Sequence, residues 1–232
     1  MVNKDNKYTQ MQLNAYNGYA SAWSESNRDP VVGSFDGHNN WEDYENLFKN
    51  FNNKSEMIGL DFGCGPGRNL VKYKDTFKRL DGVDISPVNI EKAGGYTTNY
   101  GVECELYVNN GVDLSVVPSD KYDFVMSVIA LQHICVYDIR YSIMKDMYRV
   151  LKPGGSITLQ MGYGSPSPAT VGYYDNYYDA DGTNRTCDVC IESTDQLEGD
   201  LTKIGFTNFG YTIGKVGPGD VHPNWIYFSA VK

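Results

Sequence analysis

The chain of 232 residues is marked first by what it lacks. No apolar run is long enough to span a bilayer, and the opening Met1-Val2-Asn3-Lys4-Asp5 is polar, without the charged-then-apolar pattern of a secretory leader. Lys and Arg are scarce, 20 against 29 acidic residues, and the net charge of −9 disfavours a broad nucleic-acid footprint, which needs clustered cations. Five cysteines, an odd and scattered number, do not suggest a disulfide framework and fit a reducing, cytoplasmic compartment. Cys187 and Cys190 have the spacing of half a zinc site, but no second pair completes four ligands, so no metal is expected.

What is present is most concentrated in Ile58-Gly59-Leu60-Asp61-Phe62-Gly63-Cys64-Gly65-Pro66-Gly67-Arg68-Asn69. A short apolar run enters alternate glycines and leaves as a helical pattern, which reads as a buried strand, a sharp turn and an open helix N-terminus. Glycine permits positive φ and close approach of a ligand to the backbone, and the free N–H groups and helix dipole favour an anionic group. The spacing is G-x-G-x-G, with Arg68 where a dinucleotide fingerprint has its last glycine. Asp61 ends the strand just before the loop. A carboxylate there would repel a pyrophosphate and suits a ligand that also carries positive charge.

This segment closely resembles the first motif of the class I S-adenosylmethionine (SAM) methyltransferases, whose ligand combines an ammonium, a carboxylate and a sulfonium. The resemblance extends from about Tyr16 to Lys232. Leu80-Asp81-Gly82-Val83-Asp84-Ile85-Ser86-Pro87 reads as a second strand ending in an acid, followed by an N-cap serine and a proline at the first helical position. The resemblance implies that Asp84 accepts the ribose hydroxyls, with Ile85 beside it. It gives Asn110-Gly111 the adenine-side loop, with Asn110 or its neighbours at the adenine amino group. Ser127 and Val128 end the fourth strand at the ligand crevice, Leu131-Gln132-His133 follows, and Arg149-Val150-Leu151-Lys152-Pro153-Gly154-Gly155 matches the turn into the fifth strand. The implied cofactor contacts are Asp61, Gly63, Cys64, Gly65, Arg68, Asp84, Ile85, Asn110, Gly111, Ser127, Val128, His133 and Tyr16.

The implied fold is a three-layer α/β Rossmann-like sandwich: a seven-stranded, mostly parallel sheet whose last strand is antiparallel, with a helical N-terminal cap and an insertion after strand five. Strands alternating with helices from about Glu56 to Met161 agree with a parallel sheet covered on both faces. Ile139, Ile143, Met147 and Val150 repeat at the helical period. Residues 1–54 form the cap, with Tyr8, Tyr16, Tyr19 and Trp23 at loosely helical spacing, and 55–232 the core. Within the core, residues 162–191 are rich in Gly, Pro, Ser and Tyr, and read either as a surface loop with its own local structure or as a lid over the acceptor. Ser193 and Gln196 have the form of a capping box, and Gly205 suits the end of that helix.

The chemistry expected is transfer of a methyl group from SAM to an O, N or C atom of a small molecule, leaving S-adenosylhomocysteine. A general base is needed only if the acceptor must lose a proton; His133 is the candidate because histidine titrates near neutrality, although a structural hydrogen bond or a cofactor contact explains it equally well. Acceptor contacts are expected from Trp23, Tyr173, Tyr174 and Tyr177. His222 could line the acceptor pocket or simply lead into the last strand, and Cys64 reads as a small filler in the glycine loop. Two other readings remain open: another enzyme of a SAM-like ligand, such as aminopropyl transfer from decarboxylated SAM, and a SAM-binding regulatory module without turnover. Nucleic-acid methylation is a weaker option, since neither an N-P-P-Y-type tetrapeptide nor a cytosine-C5 cysteine motif is present.

Overall fold

A computed structural model describes residues 4–22, 44–179, 187–216 and 220–232. Helix α1 (Lys4–Ala22) leads to the core, where strand β1 (Ile58–Phe62), helix α2 (Arg68–Lys72), strand β2 (Arg79–Asp84), helix α3 (Pro87–Asn99), strands β3 (Leu106–Val108) and β4 (Tyr122–Ser127), helix α4 (Tyr137–Val150) and strand β5 (Leu151–Tyr163) follow in order. The chain then forms short strands β6 (Thr170–Gly172) and β7 (Asp188–Ile191), helix α5 (Thr194–Ile204) and strands β8 (Thr207–Lys215) and β9 (Asn224–Val231).

The central sheet runs β3-β2-β1-β4-β5 with every pair parallel, and continues through β9, antiparallel to β5, to β8, antiparallel to β9. These seven strands are the ones implied by the resemblance. The insertion adds two more. β7 pairs in parallel with Gly162 and Tyr163 of β5, on the stretch of that strand beyond the end of β4, and β6 pairs with β7. Residues 162–191 are therefore partly sheet: the strand extends past its neighbour and leaves backbone groups that β7 satisfies.

Both faces of the sheet are covered. On one, Ile139, Ile143, Met147 and Val150 of α4 and Leu197 and Leu201 of α5 are all buried against Leu60, Val125, Ile157 and Leu159. On the other, Phe48, Phe77 and Phe124 pack ring to ring, with centroids of Phe77 and Phe124 4.6 Å apart. Gly59 makes room for that stack: a Cβ there would lie 2.1 Å from Phe124 Cζ. Local signals in the sequence are realised as written. Ser86 caps α3 by accepting from Asn89 N, Ser193 and Gln196 form a reciprocal capping box on α5, and Gly205 closes α5 at positive φ. Lys152-Pro153-Gly154-Gly155 bulges out of β5, so that Tyr122 faces Leu151 while Phe124 faces Ser156.

The buried stripe of α1 is Tyr8, Gln12, Tyr16 and Ala20 at four-residue spacing, with Tyr8, Gln12 and Ala20 buried and Tyr16 half-buried. It runs through Gln12 and Ala20 rather than through Tyr19, which is partly exposed, and Trp23 lies outside the described residues.

Candidate functional site

A cleft opens at the carboxyl ends of the parallel strands, where open α/β sheets bind ligands. Its walls come from the β1–α2 loop (Gly63, Cys64, Gly65, Pro66, Arg68, Asn69), the end of β2 (Asp84, Ile85), the loop after β3 (Asn109, Gly111) and the segment after β4 (Val128, Ile129, Ala130). Tyr8, Gln12 and Tyr16 of α1 form the remaining side. Ten of the positions expected at the ligand fall around this cleft: Gly63, Cys64, Gly65, Arg68, Asp84, Ile85, Gly111, Val128 and Tyr16 as walls, and Asp61 just behind the loop.

The glycine loop takes its shape from backbone that other residues avoid. Gly63, Gly65 and Gly67 all have positive φ, at 74°, 54° and 89°. Gly63 also passes so close to the segment after β4 that a Cβ would lie 2.4 Å from Ala130 Cβ, whereas nothing stands within 4 Å of a Cβ at Gly65. Cys64 is a buried filler against Gly82, and burial pushes its thiol well up. Asp84 straps the loop in place: its Oδ2 accepts from Gly65 N at 2.9 Å, and its Oδ1 accepts from Ser86 N at 2.8 Å and Asn89 Nδ2 at 3.3 Å. Burial raises its carboxyl above the usual range, opposed by those three donors.

Asp61 is buried, and its Oδ2 accepts from Asn69 Nδ2 at 3.1 Å. Its Oδ1, and the Oδ1 of Asn69, are buried with no hydrogen-bond partner among the described residues. Burial pushes the Asp61 carboxyl up to about 7, partly offset by Asn69 and Arg68. Two unmatched acceptor oxygens on hydrogen-bonded neighbours, one of them on a carboxylate, are what a cationic N–H donor would satisfy.

Several expected positions fall elsewhere. Asn110 turns outward: its Oδ1 accepts from Val112 N and Asp113 N and its Nδ2 donates to Asp113 Oδ1, so the side chain closes a turn while the buried Asn109 lines the cleft. Ser127 is fully buried and donates to Phe62 O at 3.0 Å, which pins β4 to β1 instead of facing the cleft. Tyr173 is buried under α4, beside the guanidinium of Arg140, which also donates to its carbonyl. Tyr174 and Tyr177 are exposed, and none of these three tyrosines lines the cleft. The stretch around them is fastened to α4 by Tyr137 N to Asp175 O, Tyr177 N to Cys135 O and a pair of bonds between Asp138 and Asn176.

His133 sits in a 3-10 turn (Leu131–His133) between Ala130 and Ile134, both walls of the cleft, but is itself not one of them. Its Nδ1 lies 2.7 Å from Asp188 Oδ1 on β7, and the other oxygen of Asp188 lies 3.2 Å from His222 Nε2. Burial lowers the affinity of His133 for a proton, but Asp188 and, further off, Asp220 outweigh it and leave its pKa raised; Asp188 is held well below the usual carboxylate range despite its burial.

Sequence reasoning missed Gln12, Asn69, Asn89, Asn109 and Ile129. Ile129 is a β-branched residue at φ 51°, held by donation of its N–H to Gln160 Oε1 at 2.8 Å. No sequence signal marks it. Asn69 had one, as the first polar residue of the helix that follows the loop.

Residues 60–155 match the family described as a methyltransferase domain. A sterol 24-C-methyltransferase of Candida albicans is 31% identical over 113 residues, covering 47% of this chain and 29% of that protein, so the chain spans well under half of such curated relatives. Among solved structures, a SAM-dependent methyltransferase of Methanosarcina mazei superposes with a TM-score of 0.57 at 19% identity, covering 77% of this chain and 93% of that one. Phosphoethanolamine N-methyltransferase 2 of Haemonchus contortus superposes with a TM-score of 0.66 at 17% identity, covering 100% of this chain and 61% of that one. The strand order, the glycine loop and the match over residues 60–155 agree: that stretch is similar to the methyltransferase domain family, and the fold is that of SAM-dependent methyltransferases.

Proposed function

We propose that this protein transfers a methyl group from SAM to a small-molecule acceptor. The observation that carries the reading is the pair of unpartnered buried oxygens, Asp61 Oδ1 and Asn69 Oδ1, beside the glycine loop. They fit an ammonium group; the N–H groups of Gly63, Cys64, Gly65 and Gly67 are all taken within the protein, and Pro66 has none. Asp84 can accept hydroxyl donors at the next position along the sheet edge, and Asn109, Ile85 and Gly111 offer one polar and two apolar contacts to a purine. When bound, SAM supplies a methyl group made electrophilic by its sulfonium.

The chain's own contribution is placement. Holding two reactants at attack distance is worth roughly 7–11 kcal/mol, and here the apolar Ile129, Ala130, Ile134 and Ile143 keep water from one side of the cleft while α1 covers another. His133, at the rim, has its ring bonded to Asp188 and to the Ile129 backbone. The related proteins act on molecules as unlike as a sterol and phosphoethanolamine, in keeping with a shared cofactor wall and variable surroundings. Five unpaired cysteines fit a reducing compartment such as the cytoplasm. The net charge of −9 argues against nucleic-acid partners, and no helix of the described residues is long and apolar enough to cross a membrane.

Calorimetry with SAM, S-adenosylhomocysteine, decarboxylated SAM and NAD tests the reading. Micromolar binding of the first two without NAD is the expected result. A preference for decarboxylated SAM would point to aminopropyl transfer, and tight NAD binding would overturn the assignment of the loop.

A further inference from the structure

Helix α1 gives the cleft one side chain whose orientation is settled by chemistry. Gln12 is one of the walls and is 4% exposed. Its Nε2 donates to His133 O at 3.2 Å and to Tyr8 Oη at 2.9 Å, so both amide hydrogens are committed. A peptide carbonyl only accepts, so the nitrogen is the end that faces His133 and the amide cannot be turned over. The side-chain oxygen is what remains. Gln12 Oε1 takes no hydrogen bond from the described residues, and it is not one of the oxygens sealed away without a partner. Tyr8 locks the arrangement, because its hydroxyl already accepts from Cys135 N and Gln12 Nε2.

The anchors of α1 tell which part of the cleft Gln12 serves. Asn17 meets Ser86, which sits beside Asp84 at the end of β2. Tyr8 and Gln12 are fastened instead to residues 133 and 135, on the turn after β4. The walls supplied there are apolar: Ile129, Ala130 and Ile134 from that segment, and Ile143 from α4. Among the described residues the charged walls are Arg68 and Asp84, and both belong to the loops after β1 and β2. A phosphate or carboxylate laid on the isoleucines would lose its water with no cation to receive it, and would turn acceptor oxygens toward Gln12 Oε1. A molecule with no polar group would shut Oε1 in unpaired. A neutral, mostly apolar molecule carrying one O–H or N–H avoids both costs.

We infer that Gln12 selects the methyl acceptor: its side-chain oxygen receives the O–H or N–H of a neutral molecule whose apolar body lies on Ile129, Ala130, Ile134 and Ile143. This rests on the methyltransferase reading above and narrows it to phenols, alcohols and aromatic amines, to the exclusion of phosphorylated or carboxylated acceptors. Gln12 takes no proton; its part is recognition. Tyr8 is a positioning residue that acts through Gln12 by holding the amide in the one orientation that leaves the oxygen uncommitted. Discrimination of this kind can be steep, because a site built to pair a hydroxyl leaves its own polar group unmatched when the hydroxyl is missing.

The test uses the full chain loaded with S-adenosylhomocysteine and three matched series of probes. These are 4-alkylphenols of graded chain length, the alkylbenzenes that lack the hydroxyl, and the corresponding alkylphenyl phosphates, with dissociation constants read by ligand-observed NMR. The phenols are expected to bind more tightly than the other two series. Gln12→Met keeps the length of the side chain but removes the oxygen, and should shift the ratio of phenol to alkylbenzene affinity about tenfold toward the hydrocarbon. The S-adenosylhomocysteine dissociation constant should not change. A merely structural Gln12 would weaken both neutral series alike and leave their ratio where it was, which would overturn the proposal. So would phosphates that bind as well as phenols, a failure of both neutral series to bind, or a loss of S-adenosylhomocysteine affinity in the variant, which would make Gln12 a cofactor contact. If the wild type does not bind S-adenosylhomocysteine at all, the methyltransferase reading falls and takes this inference with it; calorimetry on the wild type separates the two failures. Should Gln12→Met fail to fold, the wild type decides: phenols that bind no better than their alkylbenzenes overturn the proposal.

Discussion

The two sides of the cleft are made in different ways. The sheet side is assembled from short loops that each leave the end of one strand: Gly63 to Asn69, Asp84 to Asn89, Asn109 to Gly111. Its groups are positioned by backbone geometry and near neighbours, as when Asp61 meets Asn69 eight residues on. The α1 side is held by single bonds between remote parts of the chain. Cys135 N donates to Tyr8 Oη at 2.8 Å, Gln12 Nε2 donates to His133 O at 3.2 Å, and Ser86 Oγ lies 2.6 Å from Asn17 Oδ1. One side is a local consequence of sequence pattern. The other exists only once the whole chain is folded, and can be perturbed without touching the first.

The sharpest break in that comparison comes from the glycines. Gly63→Ala combines left-handed backbone with a collision at Ala130, and about 2–5 kcal/mol of stability should be lost. Gly65→Ala meets only the backbone penalty, about 1–2 kcal/mol. Denaturant melts of the two variants would measure the gap, and equal losses would mean the loop is freer than its contacts with β4 indicate. Next, Asp61→Asn should weaken SAM by about 1.5–3 kcal/mol, ten- to a hundredfold, while leaving the α1 side intact.

The same residue gives the cleft a pH dependence. Its carboxyl, near 3.8 when unfolded, is pushed up to about 7 by burial, so the ligand-free folded state binds the proton more tightly than the unfolded one. The free protein then loses stability as pH rises from about 4 to about 7. A cationic ligand reverses the preference, so SAM affinity should climb over the upper part of that range, with proton release on binding. Calorimetry in buffers of differing ionisation enthalpy reads the release directly, and Asp61→Asn should abolish it.

Perturbing the other side should look different. Tyr8→Phe leaves the Cys135 N–H without its acceptor and should cost about 1–3 kcal/mol of stability, with much less effect on SAM than Asp61→Asn. A comparable loss of SAM affinity would mean the two sides act as one. The smallest effect is expected from Asn110→Ala, which removes an exposed turn and should cost under about 1 kcal/mol without changing the SAM dissociation constant.

The same division explains what could be read in the sequence. The loop glycines, Asp84 with its serine cap, the α4 stripe and the α5 capping box are set by neighbours in sequence, and each is written in residue order. Asn109 and Asn110 are identical residues side by side, and which one faces the cleft depends on where the β3 ladder ends and the turn begins. Ser127 ends the expected strand, yet its hydroxyl answers a carbonyl of β1, a pairing visible only across the sheet. The tyrosines of the insertion were expected over the acceptor; the anchor is instead Asp175 and Asn176 on the start of α4, reached through polar bonds that carry no periodic signal. His222 and Gly162 are a matched pair separated by most of the insertion, a Cβ at 162 falling 2.0 Å from His222 Nδ1, and neither residue announces the other.

A last consequence follows from the bonds that tie α1 to residues 86, 133 and 135. Under the proposed function, a helix fastened across the cleft doubles as a gate that a ligand passes when it lifts. Those contacts then set an opening equilibrium, and catalytic turnover can be limited by the time the gate spends shut rather than by the chemistry behind it. Amide exchange along residues 4–22, slowed by S-adenosylhomocysteine, would give the frequency of that opening.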